Sequence, residues 1–278
     1  MSFFRQHKVL LILISILIFG FAIRFYNISF HDIWRDEAFS IFVSSKPVET
    51  IIELTSKDTS PPLHYLLLHF WMMFFGDGEL SVRSLSLIFG MLTLPLIFEL
   101  SKIYFDKKTA LIATFLGAIN PLLIVLSIEA RTYSLLIFLI TLNIYSVVQV
   151  NKNATWRWFL LFIISTVLGL YSHNIFVIAL SVNVLFLLIS ILKKSNFNPV
   201  TALTAQGKLF LKLILCLTIS IIIFLPWVLI FLNQLSTVSS SGFWLEFKGL
   251  TSMGSTLIWL FTSDAYNPVI NPLKLVSY

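Results

Sequence analysis

Apolar residues fall in blocks along this chain, and the blocks are too long for the buried segments of a water-soluble domain. A helix rises about 1.5 Å per residue, so roughly 17–25 mostly apolar residues cross the hydrocarbon of a bilayer. Blocks at about 8–26, 83–101, 109–127, 132–150, 157–172, 174–192 and 209–232 predict seven spanning helices. A further apolar stretch at about 250–262 is ambiguous and could begin an eighth. Pro62–Phe75 is apolar but short. It follows Pro61-Pro62, which end any preceding helix and suit the first turn of a new one, so it reads as a juxtamembrane helix rather than a span. Ser236–Gly242 is polar and reads as a loop after the seventh span.

The pattern predicts an all-α integral membrane bundle of about seven or eight transmembrane helices, with juxtamembrane helices in the loop 27–82. Residues 1–278 read as one transmembrane domain, without tandem repeats or Gly/Ser linkers. Composition agrees: 58% of residues are hydrophobic and only 12% charged, about half the charge of an ordinary soluble domain. Arg5 and Lys8 precede the first apolar block as in a signal peptide. However, Arg24-Phe25-Tyr26-Asn27 follows instead of a small-x-small cleavage site, which predicts an uncleaved first span. The single cysteine, Cys216, lies in an apolar block and has no partner for an internal disulfide.

Charge assigns the two sides. If Pro62–Phe75 does not cross, the N-terminus and the loops on its side hold 11 of the 19 basic residues and only Glu99 and Asp106 of the 13 acids. That side nets +9 and the other −3. If the segment does cross, only six basic residues remain on the N-terminal side. Basic residues favour the cytoplasm, so the first threading is preferred, with a cytoplasmic N-terminus and an outer loop from Asn27 to Val82. The Asn153-Ala154-Thr155 sequon then faces inward and carries no glycan reading.

The polar residues at the outer ends of the spans are the candidates for chemistry. His31-Asp32-Ile33-Trp34-Arg35-Asp36-Glu37 opens the outer loop. Adjacent carboxylates repel, which suits one of them to accept a proton or bind a metal near neutral pH; a solvated amphipathic turn is the alternative. Lys57-Asp58 precedes Pro61-Pro62, where an ordinary surface pair is the simpler reading of each residue, and His64 reads first as an interfacial polar tip. Glu129-Ala130-Arg131-Thr132-Tyr133 sits between two apolar blocks. Charge flush against hydrocarbon is costly unless paired or functional, and the planar fork of Arg131 suits phosphate. Arg83, at the start of the second span, is by default a headgroup anchor. Tyr171-Ser172-His173-Asn174 interrupts 157–192 at the same level, either lining a cavity or forming a plain turn.

Absent motifs narrow the classes. There is no phosphate-binding loop, dinucleotide fingerprint, paired CxxC, H-E-x-x-H or G-x-S-x-G. Spans three to seven carry almost no charge, which argues against an ion pathway. Nothing supports nucleic-acid binding. A reaction at the outer face has poor access to nucleotide sugars, whereas a sugar carried on a membrane lipid is available there.

With these pieces assembled, the chain resembles the GT-C glycosyltransferases, and more narrowly family 39 and the protein mannosyltransferase-like group that includes bacterial aminoarabinose transferases. The resemblance runs from Phe3 to about Trp244. It rests on Asp36-Glu37, Ser60-Pro61-Pro62-Leu63-His64-Tyr65, Arg83, Glu129-Ala130-Arg131-Thr132-Tyr133-Ser134-Leu135 and Tyr171-Ser172-His173, in that order. It implies an inverting hexosyl or pentosyl transfer from a polyprenyl-phosphate sugar to a lipid, glycan or protein acceptor, in a multi-pass protein of the plasma membrane.

The same resemblance implies that Asp36 is the general base and Glu37 its partner, orienting it or a divalent metal. Arg131 would hold the donor phosphate, with Lys57 and Arg83 as further contacts, and His173, His64, Tyr133 and Glu129 would line the cavity. No cofactor is otherwise called for. Relatives usually carry Tyr where His64 stands and are longer, so the C-terminal part is read as truncated relative to them. A non-catalytic flippase or assembly subunit, and a polysaccharide polymerase or ligase, stand as alternatives.

Overall fold

The computed structural model describes residues 7–194 and 207–240, and the described residues are helical with connecting turns. The ambiguous stretch at 250–262 lies outside them. The helices are α1 (Lys8–Asn27), α2 (Arg35–Ser44), α3 (Val48–Lys57), α4 (Leu63–Phe75), α5 (Glu79–Tyr104), α6 (Lys107–Ile119), α7 (Pro121–Ser127), α8 (Tyr133–Lys152), α9 (Trp156–Ser172), α10 (Phe176–Lys194) and α11 (Gly207–Ser240).

Five of these, α1, α5, α8, α10 and α11, are long and apolar enough to cross a membrane, and a sixth crossing results if α6 and α7 count as one broken span. The remaining expected span is α9, whose 17 residues give about 25 Å of helix, at the short limit for crossing. The expected loop after the seventh span begins later than its polarity suggests, because α11 stays helical through Ser240. With 34 residues, α11 is about 50 Å long and outruns the hydrocarbon. Side chains facing lipid explain the many exposed large apolar residues, such as Ile18, Leu116, Ile178 and Leu229.

The apolar block at 109–127 is one helix in hydropathy but two in the structure, bent by 59° at Asn120-Pro121. Pro121 has no N–H to continue the ladder and forces the preceding residue out of the helical region. Asn120 is accordingly extended, and its Oδ1 accepts from Leu123 N at 2.9 Å to cap α7. Arg24 of α1, fully buried, meets the break. It donates from Nη1 to Ala118 O (2.9 Å) and Gly20 O (3.0 Å), and from Nε to Ser127 Oγ (3.2 Å). A cation at the carbonyl end of α6 matches both the loose acceptors and the helix dipole.

α8 is the central helix, packed on α5, α9 and α10, while α1 lies on α6 and α9 on α11. Three helices are joined inside the bundle by a polar knot. Asn143 Nδ2 donates to Ser165 Oγ (2.9 Å) and Thr166 Oγ1 (3.0 Å), and Asn183 Nδ2 donates to Asn143 Oδ1 (2.9 Å). With no water to compete, such bonds hold spanning helices together.

The loop 27–82 forms the three short helices α2, α3 and α4. α4 has 13 residues, about 20 Å, too short to cross. It ends at Gly76, whose φ of +80° is open to glycine and strained for other residues. These helices cover the end of the bundle where α1 and α9 finish and α5, α8 and α10 begin.

Candidate active site

Asp36 and Glu37 occupy the first turn of α2, where the positive end of the helix dipole favours carboxylates. Consecutive helical residues point in different directions, and the two acids take different guanidiniums. Glu37 is fully buried. It accepts from Arg83 Nε at 2.9 Å, Arg83 Nη2 at 2.7 Å and Ala130 N at 2.7 Å. Arg83 also donates from Nη1 to Ile28 O and His31 O (2.8 Å each) and to Glu79, and from Nη2 to Asp32 O at 3.3 Å. Every N–H of Arg83 therefore has a protein acceptor. Instead of a headgroup anchor or phosphate ligand, this residue is the buried clasp that holds α2 and the 28–32 turn onto α5.

Glu37 reaches further, because Ala130 lies in the turn between α7 and α8 that carries Arg131. That turn is also closed by Arg131 N donating to Glu129 O (2.7 Å) and by Thr132 Oγ1 donating to Ser172 O (3.0 Å). Arg131 is thus aimed at α2. Its Nη2 lies 3.3 Å from Asp36 Oδ2, and its Nη1 donates to Asp36 O at 3.2 Å. The ion pair is looser than the 2.7–2.9 Å usual for charged partners, and 44% of the Asp36 side chain is exposed. Arg131 also lies 5.6 Å over the Tyr133 ring, which is 6.0 Å from the ring of His173.

Both candidate histidines lie in the field of Arg131. His64 is buried, and burial followed by the Arg131 charge lowers it from the usual imidazole value to about 4. His173, at the end of α9, is lowered to about 4 by the same two causes in the same order. Its Nδ1 accepts from Ile175 N at 3.1 Å, which leaves Nε2 to carry the proton of a neutral ring. Tyr65, buried beside Asp58, is raised to about 12, chiefly by burial, and stays a neutral donor. Two buried nitrogens of this cluster, Arg131 Nε and His64 Nε2, have no protein partner.

The structure thus brings Asp36, Glu37, Arg83, Arg131, Tyr133, His64 and His173 to one end of the bundle. Lys57 stands apart on α3, bonded to Glu53 at 2.6 Å with 69% of its side chain exposed. Glu129 lines a cavity between α1 and α7 that contains neither His64 nor His173. Among the described residues, no group of three or more His, Cys, Asp or Glu is placed to hold a metal ion, and Glu37, expected to orient one, is committed to Arg83 and Ala130.

Gln234 was not anticipated. Near the far end of α11 it donates from Nε2 to Thr55 O at 2.9 Å and accepts from Asn174 Nδ2 at 3.2 Å, while Asn174 also donates to Thr59 O at 2.9 Å. This latch ties the 55–59 segment to α11 and to Asn174, the residue after His173. Its only signal in the sequence is a polar residue continuing an apolar helix.

The class these features define is a multi-pass membrane protein with a charged site where its helices end. Residues 59–230 match the family model described as dolichyl-phosphate-mannose-protein mannosyltransferase. The match covers well over half of the chain, and the protein belongs to this family, a GT-C type of glycosyltransferase. Arg83, Arg131, His64 and His173 lie within the matched residues, and Asp36 and Glu37 lie ahead of them. No curated protein matches the chain.

Proposed function

We infer that the protein transfers a sugar from a polyprenyl-phosphate donor to a hydroxyl or amine on a lipid, polysaccharide or protein acceptor, with inversion, at the outer face of the membrane. The observation that carries this reading is the half-exposed Asp36 carboxylate 3.3 Å from Arg131, beside two buried nitrogens that lack protein partners. Asp36 accepts the acceptor's proton as its oxygen or nitrogen attacks the anomeric carbon. The bond from that carbon to the phosphate oxygen breaks, and the electron pair leaves on the phosphate. Arg131 stabilises the charge that grows there, in a setting where fixed cations count for more than in water. The neutral His64 and His173 add donors without competing for the proton of the acceptor.

Arg83 and Glu37 act by positioning, since their polar atoms are already engaged with protein. Lys57 can reach a phosphate only by leaving Glu53, a small loss for an exposed pair. The outer placement is supported by charge: Lys102, Lys107, Lys108, Lys152, Arg157, Lys193 and Lys208 lie at the opposite ends of the same helices.

The test is transfer from a panel of radiolabelled polyprenyl-phosphate sugars in membranes. Asp36→Asn is expected to lower the rate about 10²–10⁴-fold, and Arg131→Met to lower it as well. Full transfer by Asp36→Asn ends the reading of this residue as the base.

A further inference from the structure

At the end of the bundle opposite the site, charge of one sign gathers without compensation. Lys152, Arg157, Lys193, Lys194, Lys208 and Lys212 are the only charged residues between positions 132 and 245. They fall at the ends of α8, α9, α10 and α11. These ends meet, because Val150, Phe159, Ile191, Leu209 and Leu213 pack into one core cluster. Each of those lies one or two residues from a cation, so the cations gather around the cluster. Lys152, Arg157, Lys193, Lys208 and Lys212 are exposed. Among the described residues, none of these five has a carboxylate within ion-pair distance. The α5–α6 turn at the same end differs. There Lys102 is bonded to Glu99 at 2.6 Å, and Asp106 precedes Lys107 and Lys108.

Two ring contacts show where the cations stand. Lys212 Nζ lies 5.4 Å over the Phe159 ring, which brings α11 against the first turn of α9, beside Arg157. Arg157 Cζ lies 4.9 Å over the ring of Trp158. The ring faces hold both cations without neutralising them. Lys208 and Lys212 stand four residues apart on one face of α11 and repel each other; an anion placed there relieves that repulsion. Along the same helix faces, exposed apolar side chains follow the cations: Leu160 and Ile164 on α9, Leu211 and Leu215 on α11. Cations that run on into lipid-facing hydrocarbon fit an anion carrying acyl chains better than a soluble one. Trp156, 76% exposed at the start of α9, sets this level at the headgroups.

We propose that the lysine-rich ends of α9 and α11 bind an anionic phospholipid, a phosphodiester with no ammonium of its own. Arg157, Lys208 and Lys212 hold the phosphate, and Lys152 and Lys193 add to the field. A zwitterionic head brings a further cation among cations and is the weaker guest. This assignment does not depend on the transferase reading of Asp36.

The test places the full-length protein in vesicles of equimolar phosphatidylglycerol and phosphatidylcholine, with a chain-diazirine analogue of one or the other as probe. The phosphatidylglycerol probe is expected to label peptides at 156–164 and 207–215 at least about fivefold more than the phosphatidylcholine probe. Both are expected to label the exposed side of α10 at Val182 and Leu185 equally. Arg157→Gln with Lys212→Gln is expected to abolish the preference, and Arg157→Lys with Lys212→Arg to keep it. Lys107→Gln with Lys108→Gln removes the same charge from the same end of the bundle and is expected to leave the preference intact. Equal labelling by both probes, equal loss in the two glutamine pairs, or loss in the charge-preserving exchange overturns the proposal. Displacement of the probe by an equal concentration of soluble glycerol phosphate also overturns it, since the guest is then a free anion.

Discussion

His64 and His173 are both lowered to about 4, by burial first and by Arg131 second. Their unfolded value is near 6.5, so the unfolded chain takes up protons first on acidification. The stability these neutral rings contribute is complete above about pH 6.5 and is lost as pH falls towards 4. The thermal midpoint of the purified protein is expected to drop across that window, and the drop to shrink in a His64→Gln, His173→Gln double variant. An equal drop in the double variant contradicts neutral histidines at this site. Asp36, Arg131 and His173 were legible in the sequence because each interrupts or borders an apolar block, where polarity is costly. The division of labour between Asp36 and Glu37 was not, because Glu37 finds Arg83 across 46 residues and Ala130 across 93. Local pattern does not encode such contacts. Arg24 was legible only as a flank, since nothing in a run of apolar residues tells which carbonyls a lone guanidinium will meet.

Hydropathy placed every long helix at the level of elements, because each must satisfy its own backbone in lipid. It left the 59° bend unread. Apolarity runs unbroken through Asn120-Pro121, and only the backbone chemistry of proline divides it. The half-helix α7 then turns Ser127 onto α5, where a Cβ on Gly90 would collide with the Ser127 side chain. Gly90→Ala must push Ser127 away from its bonds to Leu123 and Arg24. A loss of about 1–3 kcal/mol is expected, typical of overpacking. Gly207, which has open space around it, is the control, and Gly207→Ala is expected to be near neutral. Thermal unfolding in detergent separates the two, and equal midpoints contradict the close approach of α5 and α7.

At the scale of the whole molecule, the helix ends that build the site alternate along the chain with the ends that carry most of the lysines. In a Cys216→Ser background, Lys46→Cys between α2 and α3 is expected to react with a membrane-impermeant maleimide on intact cells. Lys108→Cys is expected to react only after permeabilisation. The reverse pattern inverts the protein and removes the outer site. Pairing of the two faces was legible from charge bias, but the latch through Gln234 was not, because a helix that outruns the bilayer looks the same in hydropathy as one that stops there.

The clasp around Glu37 also bears on how the protein is made. Glu37 leaves the ribosome 46 residues ahead of Arg83 and 93 ahead of Ala130. While the first span inserts it has neither partner, and a lone carboxylate resists desolvation strongly. The second helix must therefore stay in water until the α5 start and the α7–α8 turn have been synthesised. Asp36 rides on that helix, so in the nascent chain it docks beside Arg131 only after the α7–α8 turn has been made.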